Sequence, residues 1–310
     1  MAERPSERHL PPPLNLMFSL LLFLESLIDG LVLGGIYAVI ALGLSLIYSV
    51  AGVLNISHGD WVMLSGMTAF VLFSSLGSQP LGYLQSYLAV VPLFFATGLL
   101  FYLGLIKPVS KRPKQELLIS CILITLGVSF ILQDVAATSF GTLPKSIYLG
   151  LNPITFVGIS IPFFRFATFI LVVAATLSIW LFLRRTMTGR AMRAITYNVE
   201  VASFLGIPIT RVAAITFGLG TMLAAVGGLI YLGNGFPITP FIGISITVKA
   251  LTVLVVGGAG KLIGSLVGGL VLGLSETLTG VFISYYWSPA IAIVLLLVVL
   301  MVRPTGLVSE

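Results

Sequence analysis

Residues 53–64, VLNISHGDWVML, gather Asn55, Ser57, His58 and Asp60 around Gly59 in a chain otherwise rich in Leu, Val, Ile, Ala and Gly. His58 and Asp60 have the chemistry of a metal pair, or of a general acid and base. A catalytic zinc normally takes three protein ligands, and the other histidine, His9, belongs to the N-terminal tail. A nucleophile and a third partner are missing as well, which weighs against hydrolysis. The cluster fits an interrupted helix better. Asn55 and Ser57 can cap freed backbone groups, Gly59 permits an unusual backbone angle, and Asp60 suits the first turn of the next helix. Unwound backbone at membrane depth persists only where protein or a water-filled cavity satisfies it.

The second informative stretch is TMTGRAMRAITYNVEVASFLGIPITR, 186–211. Thr188 can cap a helix running to about Tyr197, and Asn198 a second one with Glu200 in its first turn, ending at Gly206 ahead of Pro208. Ala191, Ala194, Ile195, Val199, Ala202 and Leu205 recur at helical spacing, interrupted by Arg190, Arg193 and Glu200. Such a segment either lies on lipid or docks on a partner. By contrast, GGAGKL at 257–262 only imitates a phosphate loop: Val255 and Leu262 stand where Gly and Ser or Thr are required. It reads as a tight turn, and the chain encodes no nucleotide site there.

The elements that position these residues follow from composition. Of 310 residues, 58% are hydrophobic and 8% charged, and mean hydropathy is +1.13, which excludes a soluble core with a charged skin and indicates a polytopic membrane protein. The single cysteine, Cys121, excludes an intrachain disulfide. Residues 14–24 resemble a signal-peptide core, but balanced flanking charge and the lack of a small-residue cleavage site indicate a retained segment.

A net charge of +6 does not indicate nucleic acid, because nine of the 16 Lys and Arg residues sit in two short loops. These are Lys107, Lys111, Arg112 and Lys114, then Arg184, Arg185, Arg190, Arg193 and Arg211. The positive-inside rule puts both loops in the cytoplasm. Counting outward gives an all-α bundle of about nine spans (range 8–10): near 28–50, 61–77, 86–106, 117–139, 163–183, 211–232, 244–258, 262–281 and 287–302. The N-terminus then lies outside and Arg303 inside, with 61–77 and 244–258 short for a crossing.

Residues 1–310 read as one membrane domain with an N-terminal half at about 28–139 and a C-terminal half at about 211–302. In each half a long span leads into a polar break, 51–60 or 233–243, and then a short helix. Interrupted helices in inverted repeats mark transporters that bind substrate between their halves. Gly30 and Gly34, Gly264 and Gly268, and Gly269 and Gly273 have the four-residue spacing of close helix packing. Asp29, Asp134, Lys249 and Glu276 fall inside spans, where a central charge costs about 2.5–3.5 kcal/mol and should face protein or water.

Five stretches carry a family likeness: GLVLGGIYAVIALGLSLIYSV (30–50), LNISHGDWVML (54–64), GRAMRAITYNVEVASFLGI (189–207), VKALTVLVVGGAGKLIGSLVGGLVLGL (248–274) and RPTGL (303–307). The chain resembles the permease subunits of branched-chain amino acid ABC importers. The resemblance implies an inner-membrane, non-enzymatic subunit paired with a second, homologous permease. It also implies two cytoplasmic ATPases that bind ATP and Mg, and a periplasmic or extracellular substrate-binding protein. No cofactor is expected on this chain.

The family likeness makes 184–211 the ATPase-coupling loop, with Gly189, Arg190, Arg193, Glu200, Ala202 and Gly206 as its key residues, and Asn55, Ser57, His58, Gly59, Asp60 and Lys249 candidates for the pathway. Members often have Asn-Phe-Ala-His-Gly-Glu at 55–60 and Gly-Leu-Lys-Ala-Phe at 247–251, where this chain differs. Relatives that carry urea, short amides or aromatic acids share the framework. The competing class is a stand-alone proton-coupled carrier using Asp29, Asp134 or Glu276.

These readings predict sidedness. In a Cys121→Ala background, cysteines placed at Lys145 and at Arg190 should react with an impermeant reagent from opposite sides of intact membranes; labelling from the same side contradicts the span order.

Overall fold

The computed structural model describes residues 12–76, 80–110, 112–148, 150, 153–156, 159–303 and 305–308. His9, Lys111, Pro304 and the rest of the 1–11 tail lie outside the described residues. In chain order the helices are α1 (Pro12–Ala51), α2 (His58–Ser75), α3 (Pro80–Phe101), α4 (Lys114–Phe140), α5 (Phe163–Arg185), α6 (Met187–Tyr197), α7 (Val199–Phe204), α8 (Ile209–Gly233), α9 (Gly243–Gly257), α10 (Leu262–Phe282) and α11 (Ser288–Val302). A short antiparallel hairpin, β1 (Ile154–Phe156) and β2 (Ile159–Ile161), interrupts the otherwise helical chain between α4 and α5.

Among the described residues seven helices are long and apolar enough to cross a membrane, which makes this a multi-pass membrane protein. The expected count of nine is not confirmed by length and composition. The segments expected near 61–77 and 244–258 are α2, of 18 residues, and α9, of 15, and neither qualifies as a full crossing. Residues 14–24, read as a retained segment, are part of the 40-residue α1, about 60 Å long at about 1.5 Å per residue.

α1 and α8 form the centre, with 89% and 83% of their apolar windows buried, whereas α4, α5 and α11 stand at the periphery with 22%, 17% and 17%. Water exclusion does not press helices together in lipid, so close contact must come from shape. Glycine supplies it where α1 crosses α10: a Cβ at Gly34 would lie 2.8 Å from the Gly269 carbonyl oxygen, and one at Gly273 would overlap the Gly34 backbone. The same backbone-to-backbone approach joins α1 to α8 at Gly43 and Gly220.

Two ion pairs hold charges within the bundle among the described residues. Asp29 of α1 bonds Arg165 of α5, and Lys249 of α9 lies 2.5 Å from Glu276 of α10 and 2.7 Å from the Tyr37 hydroxyl. Asp134 departs from the expectation for intramembrane charges: it is exposed on α4.

The connections sort to two ends. Lys145 and Ile238 exchange backbone hydrogen bonds of 2.9 and 2.8 Å, joining loops 140–160 and 233–243 at one end. Leu99 and Leu103 share a pocket with Pro208 and Arg211, so the chain entering the first basic loop lies beside the end of the second. Gly273→Val should lower the bundle's unfolding free energy by about 1–3 kcal/mol or more, the usual cost of overpacking. Thermal unfolding in detergent checks this against Gly104→Val, where an added Cβ meets no neighbouring element within 4 Å.

Candidate functional site

α1 stops at Ala51, and Gly52, with φ +64°, turns the chain. The following residues climb back into the bundle. His58 Nε2 lies 2.9 Å from the Ile40 carbonyl oxygen, a point about 16 Å back along α1 at about 1.5 Å per residue. Since a carbonyl only accepts, this places the proton on Nε2. α2 therefore starts in the interior. It runs to the end where Phe73 packs edge-on against Tyr83, whose hydroxyl donates to the Leu229 carbonyl of α8.

α9 starts at the same level and runs the other way. Its last residue leads into a turn in which Gly260 N–H donates to Ser45 Oγ, 3.1 Å away, near the close of α1. The N-termini of two short helices thus meet inside the bundle. At the meeting point the Gly59 N–H donates to Thr247 Oγ1 (2.9 Å), and the Thr247 hydroxyl donates to the Ile56 carbonyl (2.9 Å). From α4, Thr125 Oγ1 accepts the Ile56 N–H at 3.2 Å.

These threonines correct the capping expected of Asn55 and Ser57. The Ser57 hydroxyl instead donates to Asn55 Oδ1 at 2.8 Å, while the Ser57 carbonyl accepts from Asp60 and Trp61 N–H. Gly59 is also needed for a different reason than expected. It is helical, and what it permits is close approach: a Cβ there would overlap the Gly243 carbonyl oxygen and sit 2.6 Å from Thr247 N. Asp60 does occupy the first turn of α2, where its carboxylate packs over Gly243 at the start of α9.

Asp60 Oδ1 accepts a 3.0 Å bond from Gln133 Nε2 of α4, which also reaches Ser129 Oγ at 3.1 Å. Asn55, Ser57, His58 and Asp60 are all fully buried, yet among the described residues Asn55 Nδ2 and Asp60 Oδ2 have no hydrogen-bond partner. Lys249 does not join this cell, since Glu276 and Tyr37 hold it. Sequence reasoning missed Thr125, Ser129, Gln133 and Thr247. The available signal was the four-residue spacing of Thr125, Ser129 and Gln133, which puts a polar stripe on one face of α4.

In the second candidate segment the cap is Thr186, not Thr188: its hydroxyl oxygen accepts from Gly189 N–H at 2.9 Å, because α6 begins two residues earlier than the sequence suggests. Asn198 caps α7, accepting from Glu200 and Val201 N–H, and Gly206 takes φ +79° at its end. Gly189 packs against the backbone of Phe182 and Leu183, which seats α6 on α5.

The apolar stripe is split. Ile195 and Ala202 are buried within this chain, whereas Tyr197, Val201, Phe204 and Leu205 are exposed, Phe204 by 89%. Ala202 therefore belongs to internal packing, and the outward apolar face is the one bearing Phe204. Arg190, Arg193 and Glu200 are exposed. A cavity of about 310 Å³ lies between α6, the end of α1 and the 259–262 turn, with Ser45, Ser49, Arg193 and Lys261 in its wall. The GGAGK turn is strapped by the C-terminal segment: Leu307 N–H donates to the Val256 carbonyl at 2.7 Å and Lys261 Nζ to the Val308 carbonyl at 2.8 Å.

A multi-pass helical protein with two short helices starting nose to nose in its interior has the build of a membrane permease. The chain belongs to the family described as branched-chain amino acid transport system / permease component, whose model matches residues 26–302. It is 32% identical over 300 residues to the high-affinity branched-chain amino acid transport system permease protein LivH of Salmonella typhimurium, covering 94% of this chain and 96% of that one. It is 30% identical to the permease protein BraD of Pseudomonas aeruginosa over 93% and 96% of the two chains. The ribose import permease protein RbsC of Haemophilus influenzae is 27% identical over 85% and 80%.

Thr247→Val keeps the volume of the side chain but strands the Gly59 N–H and the Ile56 carbonyl. It should cost about 1–3 kcal/mol for each buried group left unpaired. Thr247→Ser should be close to neutral in the same thermal unfolding measurement.

Proposed function

We propose that this protein is the membrane permease of an ATP-driven importer in the cell's inner (plasma) membrane, forming half of the translocation pathway for branched-chain amino acids. The identity of about a third to a LivH permease across nearly the whole chain carries this reading. The alternative cargo within the same importer family is urea, short amides or other small acids.

In this proposal the chain pairs with a second, homologous permease and with lipid through the exposed apolar faces of α4, α5 and α11. A substrate-binding protein delivers cargo at the end carrying Lys145 and Ile238. Two ATPases, which hold ATP and Mg, dock at the opposite end. The helix–break–short helix units α1–α2 and α8–α9 are the cores of two inverted halves, and their antiparallel short helices support that symmetry. The chain performs no covalent chemistry.

Energy enters through α6 and α7. Arg190, Arg193 and Glu200 border the exposed face of Tyr197, Val201 and Phe204, a surface that an ATPase groove can receive. Gly206 and Pro208 turn the chain directly into α8, one of the two central helices, so motion of the docked segment reaches the bundle interior. A proton-driven carrier is less well supported, because Asp29 and Glu276 are engaged in ion pairs.

Phe204→Glu tests this arrangement without disturbing the core, since the side chain is exposed. The variant should insert normally but retain less than a tenth of the ATPase that co-purifies with wild type, because docking would bury an unpaired charge. Undiminished ATPase binding and undiminished substrate-stimulated hydrolysis would contradict the coupling role.

A further inference from the structure

We propose that the cell where α2 and α9 begin receives the ammonium group of a free α-amino acid on Asp60, with the Thr125, Ser129 and Gln133 face of α4 as its movable wall. The inference rests on the importer reading and deepens it by naming the charged group the pathway recognises.

Asp60 is fully buried and packs over the first turn of α9, where helix dipoles favour an anion. Its Oδ1 is engaged by Gln133, but Oδ2 has no partner, and among the described residues neither of the two salt bridges includes Asp60. Five positions before it, Asn55 Nδ2 is a buried donor that is also unpartnered. A buried carboxylate with a free lone pair and a buried amide with a free N–H are costly in isolation. A zwitterion supplies what both lack: an ammonium donor for Asp60 and a carboxylate acceptor for Asn55. An uncharged amide such as urea can satisfy the hydrogen bonds but not the charge.

α4 is the peripheral wall of this cell. Thr125 and Ser129 are fully buried and Gln133 is 7% exposed, while Leu123, Phe130 and Ile131 on other faces of the helix are more than half exposed. Two of its three stripe residues bond directly to the break, Thr125 to Ile56 and Gln133 to Asp60. Displacing α4 therefore exposes the polar cell and leaves the α1–α8–α10 packing intact.

The test uses the whole importer, with partner permease, ATPases and binding protein, in proteoliposomes supplied with radiolabelled L-leucine. Asp60→Asn preserves the shape and an acceptor for Gln133 but removes the charge. It should lower leucine uptake at least tenfold. Asp60→Glu should recover at least half of the uptake. Gln133→Leu, on the loosely packed α4, should slow uptake several-fold and serves as the deciding variant if Asp60→Asn does not assemble. Wild-type uptake by Asp60→Asn, or by Gln133→Leu in that case, overturns the proposal and leaves the importer reading standing. A wild-type complex that hydrolyses ATP but moves no leucine overturns the branched-chain assignment, and this inference with it.

Discussion

A backbone that leaves helical conformation inside an apolar bundle must find a partner for every freed N–H and carbonyl. The rest of this structure is arranged around meeting that demand at residues 52–58. Thr247 of α9 answers the Gly59 N–H and the Ile56 carbonyl with one hydroxyl, and Thr125 of α4 answers the Ile56 N–H. Because these partners lie far away in sequence, the break can form only once α9 and α4 are in place. The interruption is a product of tertiary structure, and it ties the two halves of the chain together at one point.

Bringing Thr247 within hydrogen-bond reach of Gly59 requires two backbones in contact. Gly59 and Gly243 make that possible, just as Gly34, Gly269 and Gly273 do where α1 crosses α10. Close packing in lipid gains dispersion and interhelical polar contacts, since apolar burial gains little there. A dense centre of α1 and α8 results, with α10 packed closely on α1, and α4, α5 and α11 are attached more lightly. The ion pairs reinforce this division: Lys249, Glu276 and Tyr37 tie α9 and α10 to α1, and Asp29 with Arg165 anchors α5.

Much of this was legible in the sequence. Hydropathy gave the long spans, and the breaks at 51–60 and 233–243 stood out because clustered polar residues are scarce within the apolar runs. The order of the ends was also readable from the basic loops: the Lys145–Ile238 bridge joins two loops that charge counting had placed on one side. What local reasoning misassigned was partnership. Asn55 and Ser57 have the residue types of caps, but a cap across 188 or more residues, as between Gly59 and Thr247, leaves no local trace. The reason for Gly59 was hidden likewise, because its constraint is the Gly243 carbonyl and not its own φ. Ala202 has the spacing of an outward stripe; only the packing of α7 on α8 reveals that it points inward. α2 and α9 were counted as crossings because a short apolar run looks the same whether it begins at a surface or in the interior.

The central claim is a rigid glycine-packed centre with a polar junction closed by a lightly held α4. Pulsed electron–electron resonance on the assembled importer tests it directly, using spin labels at exposed Leu123 of α4 and Leu31 of α1, and a reference pair at Leu31 and Ile263 of α10. Between the nucleotide-free and ATP-trapped states, the Leu123–Leu31 distance should shift by several ångströms while the Leu31–Ile263 distance stays fixed. An unchanged Leu123–Leu31 distance, or an equal shift in both pairs, contradicts the account.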